Sequence, residues 1–501
     1  MSVVPAWLAA AVLRRQFARI ERDQRSPMAT QERAFARIHR ALRGTVIARA
    51  TGLEGAPDLR AFAARSQSME YGQLEEYVAR TVDGGERGLL FHGAPAFVGL
   101  SSGTTGMNNK RIVHSASTLR GFTENETCIA AIIARHTSCN PVISDRLLWG
   151  ASPPAHTRSA GGVDVGYISG KLATNIRWFL RPHSLPSAAV GRIADPKEKF
   201  REAARELRGR DVQMASAVPT YLLHLLEELR TEWGIEDFSG VWPNLRAVIY
   251  SGTPIDPYRA PIERLLGHAV PFFGMYVSTE APLGCEIPSL NGGRSGLYSL
   301  HLGRTAYTFR RLDREGPLLT VADLVPGDEV ELFLTAENGL VNYRVGDCLR
   351  IHSTAPLLVE VTGRVGHGLN LATEKVTLSQ LARAFARVAE QSPTRLRHYF
   401  VCPGESERGR ACYAWTILTD DPTGADRAAL SASLDRALTD ENGDYGEMRA
   451  DLGFLDAPTV SVLPASVAHR YFARDSHRGQ FKMKTAFPTA AALEEFLRAL
   501  G

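Results

Sequence analysis

A stretch rich in hydroxyl side chains and glycine, residues 97–115, allows two kinds of chemistry. Gly99 to Gly103 fit the G-x-S-x-G pattern of a hydrolase nucleophile elbow, in which Ser101 would attack a carbonyl carbon. The same residues open a loop that ends in Lys110 and could bind a polyphosphate, because glycines let backbone N–H groups approach an anion closely. An elbow requires a helix directly after the serine, and the glycine and asparagine residues that follow are poor helix formers. The composition therefore favours the phosphate interpretation.

A phosphate site in this loop needs more than backbone donors. The loop is not a Walker A loop, because Lys110 does not directly follow the second glycine. Backbone N–H groups at a helix end stabilise an anion by about 0.3–1 kcal/mol, whereas a unit charge pair at ~4 Å contributes ~4 kcal/mol at an intermediate dielectric. Lys110 and a metal ion are therefore expected to matter for binding. The candidate phosphate ligands are Ser101, Ser102, Gly103, Thr104, Thr105 and Lys110.

A second polar segment, MYVSTEAPLG at residues 275–284, follows an apolar run. Tyr276 could stack on a base, Thr279 could bond a phosphate or carboxylate, and Glu280 could ligate Mg²⁺. Ser278 supplies a second hydroxyl group. A buried tyrosine and a helix-capping glutamate would give the same letters, so this segment alone leaves both interpretations open.

A third segment, NYRVGDCLRI at residues 342–351, places an acidic residue after a glycine. Asp347 stands at a predicted strand-to-strand turn, where its carboxylate could accept hydrogen bonds from both ribose hydroxyls, and Arg344 could bind phosphates. An aspartate beside a glycine is also an ordinary turn residue.

The surrounding pattern predicts an α/β fold. Residues 1–80 are helical in composition, with apolar residues Leu8, Val12, Phe17 and Ile20 near one face of a first helix. Short apolar runs alternate with helical stretches over residues 89–361, which indicates a domain of mostly parallel sheets flanked by helices. The polar segments follow such runs, at strand ends where functional residues of these sheets cluster.

Two further sections complete the predicted architecture. Residues 321–353 carry Pro-Gly and Asn-Gly turn signals and indicate an antiparallel β section. Three glycines, Gly363, Gly366 and Gly368, precede a new helix and suit a hinge. The remainder alternates helix, strand, strand, helix, strand, helix. We therefore predict an N-terminal domain at residues 1–365 with a helical lead-in, and a small mobile C-terminal α+β domain at residues 366–501.

Composition excludes several classes of protein. Of the 501 residues, 44% are hydrophobic and 22% are charged, and the net charge is +4, which is too weak to indicate nucleic acid binding. The apolar N-terminal stretch lacks the basic residues that precede a signal sequence, and it is too short to span a bilayer. Six dispersed cysteines form no zinc-binding pattern and are consistent with reduced thiols in a cytoplasm. The expected partners are small molecules, without nucleic acid or membrane, and the expected state is a monomer or weak homodimer.

The order and spacing of the three segments resemble the adenylate-forming enzymes, and more narrowly the Gretchen Hagen family of acyl acid amido synthetases, which includes auxin- and jasmonate-conjugating enzymes and bacterial relatives. SSGTTG with its later lysine is similar to the first ATP motif of that family, YVSTE to the second and YRVGD to the third. VIYSGTPIDPY resembles the segment beside the adenine, GLNLATEKVT the hinge, and GQFKMK a late Gly-Gln-x-Lys segment. The likeness extends from about residue 97 to the C-terminus.

The resemblance implies a ligase that uses ATP and Mg²⁺. A carboxylate would attack the α-phosphorus of ATP, releasing pyrophosphate, and an amine would then attack the acyl adenylate to form an amide. The loop residues given above would hold the β and γ phosphates, Glu280 the Mg²⁺ and Asp347 the ribose. The resemblance further implies adenine contacts from Gly252, Thr253 and Tyr276, nucleotide contacts from Ser278, Thr279, Arg344 and Arg364, and an α-phosphate contact from Lys482 or Lys484.

Three rival functions remain open on the sequence. An adenylating ligase could pass the acyl group to a thiol, such as coenzyme A or a carrier protein, instead of an amine. A hydrolase built on Ser101 would cleave esters without ATP, and a nucleotide sensor would bind ATP without turnover. The ligase interpretation requires the three segments to converge at one edge of a sheet.

Overall fold

The structure, a computed structural model, describes residues 5–101, 110–149, 157–174, 176–193, 196–252, 254–313, 316–365, 368–369, 371–372, 374, 376–451, 454–475 and 484–500. The chain divides into two compact units. The large unit comprises Met1–Ile255 and Pro261–Val361, and the small unit comprises Asp256–Ala260 and Thr362–Gly501.

The helices of the described residues are α1 (Ala6–Arg25), α2 (Pro27–Leu42), α3 (Val46–Ala50), α4 (Leu59–Arg65), α5 (Tyr71–Val82), α6 (Ala116–His136), α7 (Ile168–Thr174), α8 (Ala188–Gly191), α9 (Pro196–Leu207), α10 (Pro219–Trp233), α11 (Asp256–Leu266), α12 (Pro288–Asn291), α13 (Leu378–Gln391), α14 (Arg427–Glu441), α15 (Gly443–Gly446), α16 (Ser466–Asp475) and α17 (Ala490–Arg498). Short 3-10 turns at Leu53–Gly55, Trp178–His183 and Val321–Asp323, and one π-helical turn at Glu447–Asp451, supplement them.

The strands of the described residues are β1 (Phe97–Leu100), β2 (Arg111–His114), β3 (Arg146–Leu148), β4 (Thr157–Arg158), β5 (Asp164–Gly166), β6 (Ser184–Leu185), β7 (Met214–Ala217), β8 (Ala247–Ser251), β9 (Phe272–Val277), β10 (Pro282–Cys285), β11 (Leu297–Leu300), β12 (Ala306–Arg311), β13 (Glu329–Thr335), β14 (Tyr343–Thr354), β15 (Leu357–Arg364), β16 (Gly368–Leu369), β17 (Val376–Thr377), β18 (Leu396–Glu405), β19 (Ala411–Thr419) and β20 (Thr459–Pro464).

The helical lead-in predicted for the first 80 residues is present as α1 to α5. Phe17 and Ile20 of α1 are buried against α6, as predicted, but Leu8 and Val12 are exposed, so the prediction was wrong for these two residues. The buried stripe contains Leu13 instead. Each helical residue is rotated by about 100° from the previous one, so Val12 lies well away from the stripe through its neighbour Leu13.

Within the described residues, the large unit contains an eleven-stranded sheet of order β12-β13-β14-β15-β11-β10-β9-β8-β7-β3-β6. Strands β9, β8, β7, β3 and β6 pair in parallel. The pairs from β9 to β10, β10 to β11, β11 to β15 and along β12, β13 and β14 are antiparallel. The sheet thus joins the predicted parallel and antiparallel sections through β9, which ends at the second motif.

A second sheet of the large unit has the order β2-β1-β5-β4 in the described residues. Strands β1 and β2 are antiparallel, with Leu100 opposite Arg111, while β1 and β5 are parallel. Val98 and Ile112 from this sheet pack with Leu283, Tyr307 and other apolar residues in the largest core cluster. Burying each such side chain contributes about 1.5–3 kcal/mol, which fixes the hairpin that carries the first motif.

The small unit contains a sheet of order β18-β19-β20, with α13 and α14 against it. The order α13, β18, β19, α14, β20, α16 matches the predicted alternation of helices and strands. Buried Glu374 accepts hydrogen bonds from the backbone N–H groups of Leu371 and Ala372, at 2.7 and 2.6 Å, and from the Tyr413 hydroxyl. Of the three predicted hinge glycines, Gly363 lies in β15, Gly368 lies in β16, and Gly366 is outside the described residues.

Candidate active site

The first motif is carried by the hairpin of β1 and β2. Beyond the last paired residues, the Ser101 N–H donates to the Lys110 carbonyl at 3.0 Å, which closes the base of the loop. Ser101 Oγ is buried and has no hydrogen-bond partner in the described part of the chain. The predicted ligands Ser102, Gly103, Thr104 and Thr105 lie outside the described residues.

Gly99 has a steric role that the nucleophile-elbow pattern does not require. A Cβ atom built at Gly99 would lie 2.7 Å from Thr279 Cγ2 and 3.1 Å from His114 Nε2. Real Cβ atoms essentially never approach other atoms within 3.0 Å, so only glycine admits Thr279 at this distance. Moreover β1 continues into an antiparallel hairpin, whereas an elbow needs a strand followed by a helix.

The second motif is a tight turn between β9 and β10. The Ser278 N–H donates to the Ala281 carbonyl at 3.1 Å, and the Ala281 N–H donates to Ser278 Oγ at 3.3 Å. This turn directs Thr279 towards β1, where its hydroxyl makes a long hydrogen bond of 3.5 Å to the Leu100 carbonyl. The first and second motifs are therefore in contact.

Glu280 follows Thr279 in this turn and is only 8% exposed. It forms no hydrogen bond or ion pair with another described residue. Carboxylate oxygens are ligands that Mg²⁺ prefers, so Glu280 is a candidate cation ligand. The described residues contain no group of three or more His, Cys, Asp and Glu side chains that could hold a metal ion.

The third motif lies inside the long strand β14, not at the strand-to-strand turn that the sequence predicts. Glu331 pairs with Cys348 and Phe333 with Arg344, so β14 carries extra residues between these positions and bulges. Gly346 has a φ of +86° and allows the bulge, after which pairing resumes. The bulge explains why a glycine-aspartate pair, which normally marks a turn, here redirects a side chain within one strand.

Asp347 emerges from this bulge and contacts the second motif. The Tyr276 hydroxyl donates to Asp347 Oδ2 at 2.6 Å, with both side chains largely buried. The Tyr276 ring also packs at 5.7 Å from the ring of Tyr298. Together with the Thr279 contact, this bond brings the three motifs to one place in the large unit.

Gly252 and Lys110 lie near the contacts that join the three motifs. Gly252 follows β8 with a φ of +88°, one residue beyond the pair of Ser251 and Met275, so it lies beside the strand end that carries Tyr276. Thr253 is outside the described residues. The Lys110 ammonium lies 5.9 Å from the ring centroids of both Tyr71 and Tyr343, and it forms no ion pair within the described residues.

Arg344, predicted to bind phosphates, is instead engaged by two carboxylates. Its guanidinium donates to Glu331, which is 3% exposed, and to Glu70 at 2.8 Å. The hydrogen bond to Glu331 raises the pKa of Arg344 further above its usual value. Its predicted phosphate contact stays a prediction.

Two predicted cations belong to the small unit. Arg364 is the last residue of β15 and is exposed, and the exposed Lys484 places its ammonium 4.5 Å from the Phe487 ring centroid. Lys482 is outside the described residues. Sequence reasoning missed Tyr71, Glu70 and Glu331, which contact the motif residues; they lie far from the motifs or in unremarkable strand positions, and nothing in their spacing signals a role.

Residues 16–233 match the GH3 family N-terminal domain, and residues 304–364 match the GH3 family central domain. The chain belongs to the GH3 family. This membership confirms the resemblance inferred from the three motifs. In the described part of this GH3 chain, no helix combines the length and apolar character of a membrane span.

The GH3 chain is 28% identical over 198 residues to indole-3-acetic acid-amido synthetase GH3.8 of Oryza sativa subsp. indica, an overlap covering 36% of this chain and 32% of the relative. It is 24% identical over 200 residues to indole-3-acetic acid-amido synthetase GH3.4 of Arabidopsis thaliana, covering 37% and 33% respectively. The chain thus spans about a third of the length of these curated relatives.

Solved structures share the fold of the GH3 chain. The GH3.15 acyl acid amido synthetase aligns with a TM-score of 0.77 at 16% identity, covering 95% of both chains. A 2-hydroxyisobutyryl-CoA ligase in the postadenylation state, in complex with 2-HIB-AMP, aligns with a TM-score of 0.60 at 12% identity, covering 93% of this chain and 91% of the ligase. The predicted α/β fold class, with a large N-terminal and a smaller C-terminal domain, is confirmed.

Proposed function

We propose that this protein is an ATP-dependent ligase that activates a carboxylic acid as an acyl adenylate and transfers the acyl group to an amine. The observation that carries this proposal is the pair of contacts joining the three motifs, from Thr279 to Leu100 and from Tyr276 to Asp347. The base of the hydroxyl-rich segment, a carboxylate with no partner among the described residues and a second carboxylate held by Tyr276 lie together, and such groups suit a metal-bound nucleotide. The amido synthetase relatives favour an amine as the acceptor.

In the first step, a carboxylate oxygen of the acid attacks the α-phosphorus, and the bond to the bridging oxygen of pyrophosphate breaks. In the second step, the amine nitrogen attacks the acyl carbon, AMP leaves with the former carboxylate oxygen, and the nitrogen loses a proton. Neither step needs a covalent enzyme intermediate, so the protein accelerates the reaction by positioning the reactants and by stabilising charge.

The described residues divide these tasks. Lys110 and the hydroxyl of Ser101 would bind the β and γ phosphates, since Lys110 has no carboxylate partner among the described residues and Ser101 Oγ has no hydrogen-bond partner there. Asp347, whose Oδ2 accepts a hydrogen bond from Tyr276, would bind the ribose hydroxyls. Glu280 would hold Mg²⁺, which when bound neutralises the phosphate charge as pyrophosphate leaves.

The remaining assignments are proposals from the family pattern. Ser102, Gly103, Thr104 and Thr105 would complete the phosphate loop, Gly252 and Thr253 would border the adenine, and Arg364 with Lys482 or Lys484 would contact the nucleotide from the small unit. We also propose a cytoplasmic location, in which the six cysteines, all of them buried, stay reduced.

Pyrophosphate exchange tests the proposal. Labelled pyrophosphate should enter ATP only when a suitable carboxylic acid is present, and a panel of aryl and alkyl acids identifies which one. Glu280→Gln removes the charge with little change in shape and should raise the Mg²⁺ concentration needed for half-maximal exchange. Glu407→Gln, which alters a surface carboxylate of the small unit, is the matched control. Normal exchange by both Glu280→Gln and Asp347→Ala would refute the site assignment.

The acceptor is tested separately by AMP release. With the active acid and ATP present, a panel of amino acids should accelerate AMP release more than coenzyme A does. Faster release with coenzyme A would instead identify a thiol acceptor, the alternative that the likeness to the CoA ligase keeps in view. Ester cleavage without ATP, blocked by a serine-reactive phosphonate, would identify Ser101 as a nucleophile.

A further inference from the structure

A segment outside the three motifs, residues 66–71, runs along the third motif; we refer to it as the bracket. The Met69 N–H donates to the Asn342 carbonyl at 2.9 Å, and the Arg344 N–H donates to the Met69 carbonyl at 2.8 Å. Glu70 accepts from Arg344 Nη1 at 2.8 Å. Backbone and side chain thus hold the bracket against the start of β14.

The last residue of the bracket, Tyr71, reaches the exit of the phosphate loop. Its hydroxyl accepts a hydrogen bond, at 2.9 Å, from the backbone N–H of Arg111, which is the first residue of β2. Its ring centroid lies 5.9 Å from Lys110 Nζ, and the ring centroid of Tyr343, from the third motif, lies at the same 5.9 Å. Both distances fall within about 6 Å, the range in which an aromatic ring attracts a cation.

The two basic residues at the loop exit have different surroundings. Arg111 forms a two-pronged ion pair with Asp83, at 2.8 and 3.0 Å, so its charge is neutralised. Lys110 meets aromatic rings instead and has no carboxylate partner within the described residues. The aromatic rings restrict the flexible lysine side chain but do not neutralise its charge. The side chain therefore loses less conformational entropy when an anion binds. Burial raises the pKa of Tyr71, so the phenol stays neutral.

We propose that Tyr71 is a positioning residue that acts through Lys110, holding the loop exit and directing the ammonium group towards the polyphosphate. This inference rests on the proposed function, since it assumes that Lys110 binds ATP. It assigns a role to the helical lead-in, because Tyr71 begins α5 and lies outside every motif recognised in the sequence.

The test is a double-mutant cycle between Tyr71 and Lys110. Tyr71→Leu removes the ring and should raise the KM for ATP about threefold to thirtyfold, the range of a cation–π contact, with kcat within about twofold. Tyr71→Phe keeps the ring and should raise KM less. In a Lys110→Met background, Tyr71→Leu should change the KM for ATP by less than about twofold, because the ammonium group on which the Tyr71 ring acts is absent.

Tyr77→Leu is the matched control, since Tyr77 lies on α5 and packs against the same core cluster without an aromatic contact to Lys110. If Tyr71→Leu lowers the melting temperature enough to reduce folded protein, Tyr71→Met, whose unbranched and flexible side chain adapts to irregular gaps, takes its place. Effects of Tyr71→Leu and Lys110→Met that multiply, or an equal KM change in Tyr77→Leu, would overturn the inference.

Equilibrium binding of ATP separates this inference from the proposed reaction. If the wild type binds ATP but exchanges no pyrophosphate with any acid, the proposed reaction is overturned, and the same cycle measured as Kd still decides the role of Tyr71. If the wild type does not bind ATP, both are overturned.

Discussion

Removing one hydroxyl group by Tyr276→Phe separates the orientation of Asp347 from its charge. The Tyr276 hydroxyl donates to Asp347 Oδ2 over 2.6 Å, and Tyr276 is only 9% exposed within the core of the large unit. Phenylalanine fills nearly the same volume, so the packing is retained. Asp347 keeps its carboxylate but loses the donor that fixes one of its two oxygens.

The expected effect lies between two limits. A hydrogen bond to a charged acceptor contributes about 1.5–3 kcal/mol, but in the variant the freed oxygen can bind water both before and after ATP binds. What ATP binding loses is the ordering of the carboxylate, about 0.5–1.5 kcal/mol, which corresponds to a rise in KM of about two- to twelvefold. Because this is a binding effect, kcat should change little. Asp347→Ala removes the acceptor itself and should raise KM by more than about tenfold.

Pyrophosphate exchange measured with ATP and with 2′,3′-dideoxy-ATP makes the test specific for the ribose. The wild type should prefer ATP, and both Tyr276→Phe and Asp347→Ala should reduce that preference, because the missing hydroxyls are the partners of Asp347. Tyr298→Phe removes a hydroxyl from the neighbouring ring and is the control. If Tyr276→Phe raises the KM of both nucleotides equally, Tyr276 does not act through the ribose and the reasoning is wrong.

Three further changes test other contacts. Gly99→Ala places a methyl group 2.7 Å from Thr279 Cγ2, so it should lower the free energy of unfolding by about 1–3 kcal/mol, measured by thermal unfolding, and raise the KM for ATP in pyrophosphate exchange. Gly55→Ala, whose Cβ would meet no atom within 4 Å, is the control and should change neither quantity. Arg344→Lys loses the forked contacts to Glu331 and Glu70 and should lower the melting temperature with KM within about twofold; a raised KM at unchanged stability would instead support phosphate binding. Burial lowers the pKa of His114 from 6.5 to about 4, so as the pH falls the imidazole is protonated in the unfolded chain before it is protonated in the folded protein. The contribution of neutral His114 to the free energy of unfolding is therefore complete above pH ~6.5 and falls by about 3 kcal/mol as the pH drops towards ~4. His114→Phe should therefore flatten the pH dependence of the unfolding free energy between pH 7 and 5, measured in urea, and an unchanged slope would contradict this.

Much of the site follows from the sequence because its main residues stand in contiguous polar segments at strand ends. An apolar run followed by polar residues predicts a strand that ends in a functional turn. The turn of Ser278 to Ala281 accordingly follows β9, and the hydroxyl-rich segment follows β1 in the sequence. The parallel and antiparallel sections were also predictable, since buried runs and alternating strands leave different patterns. The ligase interpretation required the motifs to converge at one edge of a sheet. The contacts of Thr279 and Tyr276 do bring the described parts of the motifs together, but β1 belongs to a different sheet from β9 and β14.

The rest depends on tertiary contacts that leave no local trace. Asp347 was expected in a turn because a glycine before an aspartate is typical of turns, yet partner strand β13 continues on both sides and converts the irregularity into a bulge. Leu8 and Val12 were predicted to lie near the same face of the first helix as Phe17 and Ile20, yet both are exposed and the buried stripe of α1 passes through Leu13. The hydrogen bond from the Arg111 N–H to the Tyr71 hydroxyl joins residues 40 positions apart in the sequence, a separation at which no spacing rule applies.

Ion pairing distinguishes the cations of the site in a way that residue type cannot. Three basic residues lie in or beside the motif segments, namely Lys110, Arg111 and Arg344. Judged by residue type alone, each of them could bind a phosphate. Arg111 pairs with Asp83, and Arg344 pairs with Glu331 and Glu70. Moving either arginine to a phosphate would break these ion pairs, and buried Glu331 would keep only its longer contact of 4.0 Å to Arg310. Lys110 lies near two aromatic rings and pairs with no carboxylate among the described residues, so it can turn to an anion without breaking an ion pair there. The structural cost of releasing each cation therefore supports the proposal that Lys110 binds the phosphates, while the phosphate contact of Arg344 stays a prediction.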